Sequence, residues 1–126
     1  MAKKNILTIT VALVIAFLSL AGSDSFESSK IIKFSGSDKI AHFLMYSFLM
    51  AVLIFENADR LRKSSAVLLS GAIPLLYGLI LELLQALLTT TRSGSIYDFL
   101  FNTAGILFAI LTFLLARRFG PEKFRY

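Results

Sequence analysis

The chain has 126 residues, of which 56% are hydrophobic and twelve are Phe, and it carries a formal charge of +5 with no Cys. That length bounds it to one domain, and its apolar share, against roughly 45–50% in soluble domains, excludes an ordinary water-soluble globule. The lack of Cys excludes disulfides, thiolate metal sites and Cys nucleophiles, and the basic residues flank apolar runs rather than form a face for nucleic acid.

A membrane-spanning helix needs roughly 20 apolar residues at about 1.5 Å each, and four stretches approach that. The first, 5–21 (NILTITVALVIAFLSLA), follows Lys3 and Lys4. A basic start and the small residues around Ser19-Leu20-Ala21 also suit a signal peptide. Residues 1–21 therefore read as a first transmembrane helix, or as a signal-peptide-like anchor. A Ser-rich loop leads to the second stretch, 40–55 (IAHFLMYSFLMAVLIF), which is short unless its polar first turn with Asp38 and Lys39 is included. A charged loop precedes the third, 66–88, where Pro74 between Gly71 and Gly78 predicts a kink. The turn around Arg92 and Gly94 precedes the fourth, 97–116, and a basic tail closes the chain. No span alternates with a period of two, so helices are expected rather than strands. The expected fold is an all-α polytopic membrane protein, a four-helix transmembrane bundle.

Lys and Arg set the orientation of such a bundle. The N-terminus, second loop and tail hold nine of them and the other side holds four, which predicts both termini in the cytoplasm and the first and third loops outside. The polar residues then converge in one outer layer. Asp38, Lys39 and His42 open the second span, Glu82 and Gln85 lie near the outer end of the third, Arg92 sits in the turn, and Asp98 and Asn102 open the fourth. At about 100° per residue, Asp38, Lys39, His42 and Tyr46 share one face of their helix, as do Gly71, Gly78, Glu82 and Gln85. Asp98, Asn102, Gly105, Ala109, Thr112 and Ala116 make a small-and-polar stripe on the fourth, which suits close helix packing at Gly71, Gly78 and Gly105. Glu82 lies roughly 9 Å inside its span by helical rise, and a carboxylate there costs about 2.5–3.5 kcal/mol on insertion scales. Arg92 is its expected partner, because a guanidinium binds a carboxylate through two hydrogen bonds.

His42, Glu82 and Asp98 are the candidates for acid–base catalysis, with Lys39 and Arg92 suited to hold a phosphate or carboxylate. His, Asp and Glu together could hold a divalent metal. No HExxH, P-loop or GxSxG spacing appears, so no metal or cofactor is expected and the chain reads as a binding protein rather than an enzyme. Two alternatives stand beside that reading: a membrane-embedded hydrolase or transferase on a lipid-linked envelope substrate, and a helix-packing scaffold with no ligand.

The order "DKIAHFLMY", "ELLQ", Arg92 and "YDFLFNTAG" resembles the VanZ-like family of small bacterial membrane proteins. The resemblance covers about residues 37–110. It marks Asp38, Lys39, His42, Tyr46, Glu82, Gln85, Arg92, Asp98, Asn102 and Gly105 as family positions. The turn "LLTTTRSGSIYD" departs from the Pro-containing, aromatic-flanked turn common in the family. The resemblance implies a VanZ-like core over 37–118, followed by a basic cytoplasmic tail at 119–126. It further implies a multi-pass protein of the bacterial cytoplasmic membrane and a role at the cell envelope. The family is named for a protein tied to teicoplanin resistance, so a link to glycopeptide resistance is a more distant implication. The bilayer is the first expected partner, then a lipid headgroup or cell-envelope precursor; a second copy of the chain or another membrane protein stays open.

Overall fold

The computed structural model of the protein describes residues 5–20, 37–88 and 96–120. In chain order its helices are α1 (Ile6–Leu20), α2 (Ser37–Glu56), α3 (Ser64–Ser70), α4 (Ala72–Leu88) and α5 (Ile96–Phe119). Among the described residues there is no strand. The stretch Ser64–Leu87, made of α3 and α4, joins Lys39–Glu56 and Ile96–Phe119 as three helical segments long and apolar enough to cross a membrane. α1 is a shorter apolar helix of 15 residues. The expected all-α bundle of four rods is what forms.

Contacts between the rods fix their directions. His42 of α2 meets Asn102 of α5, and further along Ala51 and Ile54 share a groove with Thr112 and Phe113, so α2 and α5 run parallel. Tyr77 of α4 donates to the Ala12 carbonyl of α1, and Gln85 donates to the Ser19 carbonyl, so α1 and α4 are also parallel. Glu56 at the end of α2 binds the start of α1, which sets the two pairs antiparallel. The chain thus goes up, down, up and down.

The same spacing repeats on three helices. The buried positions are His42, Tyr46, Leu49, Met50, Leu53 and Ile54 on α2, and Asp98, Asn102, Gly105, Ile106, Ala109 and Ile110 on α5. Pro74, Gly78, Leu81, Glu82 and Gln85 follow the same rule on α4. Each set reads i, i+4, i+7, i+8, i+11, the signature of one inward face on a 3.6-residue helix. In each, polar groups hold one end of the face and apolar groups or proline the rest. The outward faces are apolar as well: Phe48, Phe55, Leu69, Leu83, Leu87 and Phe108 are exposed. Apolar surface on all sides is an aggregation hazard in water and the natural exterior of a bundle in hydrocarbon.

Two glycines position the helices. A Cβ on Gly105 would strike the Phe43 carbonyl oxygen and stand 3.0 Å from Ser47 N, so α2 and α5 meet backbone to backbone, as small residues allow in membranes. A Cβ on Gly71 would lie 3.0 Å from Ile110 Cδ1 and 3.4 Å from Ile106 Cγ2. Pro74 has no N–H for the Ser70 carbonyl. The third rod accordingly kinks at Gly71, whose N–H bonds to Leu68 O at 3.2 Å. The predicted kink falls at Gly71, between α3 and α4, where the backbone stays right-handed helical (φ −62°, ψ −21°) and the two helices continue as one apolar rod. The small stripe on α5 runs inward only as far as Ala109, since Thr112 and Ala116 are exposed. Near that end the covering chain is the segment between α2 and α3, and it faces Arg117, about 100° round the helix from Ala116.

Candidate functional site

The N-terminal turns of α2 and α5 and the C-terminal turns of α4 meet at one end of the bundle. There His42, Glu82, Asp98 and Asn102 are 4, 7, 8 and 1% exposed. His42 stands one turn inside the start of α2, Asp98 lies in the first turn of α5, and Asn102 is one turn further on. Helical spacing therefore stacks Asp98 and Asn102 over the ring of His42 on the parallel neighbour.

The ring is held through one of its nitrogens. His42 Nδ1 and Asn102 Oδ1 are 2.8 Å apart. The amide oxygen can only accept, so Nδ1 carries a proton and Nε2 is the nitrogen turned to the carboxylates. Nε2 faces Asp98 Oδ2 at 3.8 Å, beyond hydrogen-bond range. Ligand-capable atoms of His42, Glu82 and Asp98 all lie within 4.8 Å of one another. Tyr46 lies one turn deeper, its ring parallel to that of His42 with centroids 6.5 Å apart. Gly78 lets this layer close: a Cβ there would stand 3.0 Å from both Asn102 Nδ2 and Tyr46 Cε1.

Two atoms are left over. Asp98 Oδ1 and Asn102 Nδ2 are buried with no hydrogen-bond partner among the described residues. An unsatisfied buried polar atom costs about 1–3 kcal/mol, so each is a standing cost to the fold as it is.

The structure therefore brings together His42, Tyr46, Glu82, Asp98 and Asn102, with Gly78 as spacer. Lys39 is half-buried at the mouth, and Gln85 is buried with its amide on the Ser19 carbonyl at 2.5 Å, toward α1. Asp38 lies in the first turn of α2, but its side chain and the whole of Arg92 lie outside the described residues, as does the expected Glu82–Arg92 pair. Three residues were not singled out from sequence. Ser19, on α1, offers its carbonyl to Gln85; its small-residue surroundings resembled a cleavage site. Glu56 and Arg117 tie the opposite end, and each reads in sequence as an ordinary charge flanking a span. Their signal is a charge placed at the last turn of an apolar run, Glu56 on α2 and Arg117 beside Arg118 on α5.

Fold and site together define a small helical membrane protein with a buried polar cluster at one end of its bundle. The particular family comes from comparison: the family model VanZ/LLP1 matches residues 3–117, and the chain belongs to that family. That match takes in α1 along with the three longer rods. No curated protein and no solved structure matches the chain.

Proposed function

We propose that the protein lies in the bacterial cytoplasmic membrane with its polar end outward and binds the headgroup of an envelope lipid or lipid-linked precursor there. The observation that carries this reading is the cluster of His42, Glu82, Asp98 and Asn102, buried at the end of a bundle whose flanks are otherwise apolar. Two carboxylates so close to hydrocarbon are expensive, and the orphaned atoms beside them add to the cost. A polar ligand entering from the headgroup layer offsets it. Orientation rests on the excess of Lys and Arg at the opposite end.

The test is lipid retention. Full-length protein extracted in mild detergent is expected to carry one class of lipid that native mass spectrometry detects and that His42→Ala and Asp98→Asn lose. An identical lipid profile in all three would rule the reading out. The same variants, expressed in teicoplanin-sensitive cells, examine whether the glycopeptide link implied by the family extends to this chain.

One feature favours an enzyme as the second reading. Asn102 fixes His42 through Nδ1 and turns Nε2 toward Asp98, the placement of an imidazole suited to proton transfer. Turnover of a lipid-linked substrate, abolished by His42→Asn with binding retained, would distinguish that reading from simple binding.

A further inference from the structure

An acidic pocket is a poor host for the phosphate that most lipid headgroups carry. His42, Glu82 and Asp98 come from three different helices, all buried, with one nitrogen and two carboxylate oxygens facing a common space. The 3.8 Å between His42 Nε2 and Asp98 Oδ2 is too long for a hydrogen bond. It does suit two ligands of one ion, since metal–ligand bonds of about 2.0–2.2 Å separate neighbouring ligand atoms by about 3–4 Å; the three atoms, within 4.8 Å of one another, draw in to that spacing when an ion binds.

Two further observations point the same way. Asn102 accepts from Nδ1–H at 2.8 Å and so turns Nε2 to the carboxylates, which is how a ligating histidine is oriented by a group behind it. Asp98 is buried, its side chain 12% exposed; one carboxylate oxygen, Oδ2, faces His42, and the other, Oδ1, is enclosed with no partner among the described residues. A carboxylate left so by the described residues is one that a cation can satisfy through either oxygen.

We infer that this end of the bundle is a divalent-cation site, with His42 Nε2, Glu82 and Asp98 as ligands and Asn102 as the residue that positions the imidazole. A mixed nitrogen–oxygen set of three suits Zn²⁺ first and Mn²⁺ second, with a remaining coordination position toward the mouth. The inference rests on reading this end as a ligand site, and it explains how an acidic pocket accepts a phosphate oxygen: the ion supplies the positive charge. It does not require the ligand to be a lipid.

The experiment uses the full chain in phospholipid-free detergent, stripped with a chelator and titrated with Zn²⁺ and, separately, Mn²⁺. Calorimetry and thermal melting give the two readouts. The expected result is one ion per chain and a rise in melting temperature. Asp98→Asn, which keeps the side-chain volume, is expected to weaken binding more than tenfold. Asn102→Ala is expected to weaken it by about 10–100-fold, the usual loss when the group behind a ligand is removed. Glu56→Gln, at the opposite end, is expected to leave affinity unchanged. No binding of either ion overturns the site, and so does binding that Asp98→Asn leaves intact, which marks an adventitious surface ion. Ion binding without lipid retention leaves this site standing and removes the headgroup reading; lipid retention without ion binding does the reverse.

Discussion

The two ends of the bundle contrast in how their charges are used. At the end formed by the start of α1 and the finish of α2 and α5, charged groups are taken up by the fold. Glu56 accepts from Leu7 N at 2.9 Å, Thr8 N at 2.8 Å and the Thr8 hydroxyl at 2.5 Å. A carboxylate placed there meets the unsatisfied N–H groups and positive dipole of a helix start. Arg117 donates to Leu61 O at 2.7 Å and Ser64 Oγ at 3.3 Å, and lies 5.1 Å over the Phe113 ring. Asn57 bridges to Asn5 at 2.9 Å. At the other end the groups are closer together and deeper, yet Asp98 and Asn102 each carry an atom that nothing among the described residues satisfies. The polar groups at the first end find partners, whereas two atoms of the second do not.

The sharpest way to break the contrast is to disturb both ends at once. Gly105→Ala puts a Cβ against the Phe43 carbonyl, a backbone atom that cannot step aside, and forces α2 from α5. The expected cost is at the upper limit of overpacking, about 3 kcal/mol. It is read as a lowered melting temperature of the protein in detergent, with cation binding lost in parallel.

Arg117→Leu attacks the fastened end alone. It leaves the Leu61 carbonyl without its charged donor, and is expected to cost about 1.5–3 kcal/mol, the usual worth of hydrogen bonds to charged groups. Cation affinity measured on the same sample is expected to stay within twofold of the parent protein, since Arg117 is at the opposite end from His42.

Gly78→Ala is gentler and aimed at the other end. Its Cβ would meet Asn102 Nδ2 and Tyr46 Cε1 at 3.0 Å, and both are side chains able to give by a few tenths of an ångström. A loss of about 1 kcal/mol is expected. Because Asn102 orients His42, affinity for Zn²⁺ is expected to fall more than stability does, and the ratio of the two effects sharpens the distinction between the ends.

Much of this architecture was legible in the sequence, for physical reasons. Four apolar runs of near-bilayer length leave helices as the only economical fold, and Pro74 between Gly71 and Gly78 announces a kink because proline has no N–H for the Ser70 carbonyl. The gathering of His42, Glu82, Asp98 and Asn102 followed from counting spans up and down, since alternation alone returns three distant segments to one side. What could not be read was rotation and register. Whether Asn102 meets His42, or Gln85 turns instead to α1, depends on how far one helix slides along another; for α5 on α2 the Gly105 contact sets it. Arg117 escaped notice because a basic residue after an apolar run has a sufficient explanation in topology. Its place in the fold depends on where the segment between α2 and α3 passes.

The central claim is that one end holds the bundle together while the other is kept ready for a ligand, and Asp98→Asn tests it most directly. Melting of the metal-stripped, full-length protein is the measurement, with Arg117→Leu run beside it. Asp98→Asn removes the charge of one of two neighbouring buried carboxylates, so it is expected to melt at or above the temperature of the parent protein, as substitutions that relieve a functional site often do. A melting temperature lowered as far as that of Arg117→Leu would contradict the account and make the polar end a structural network like the other.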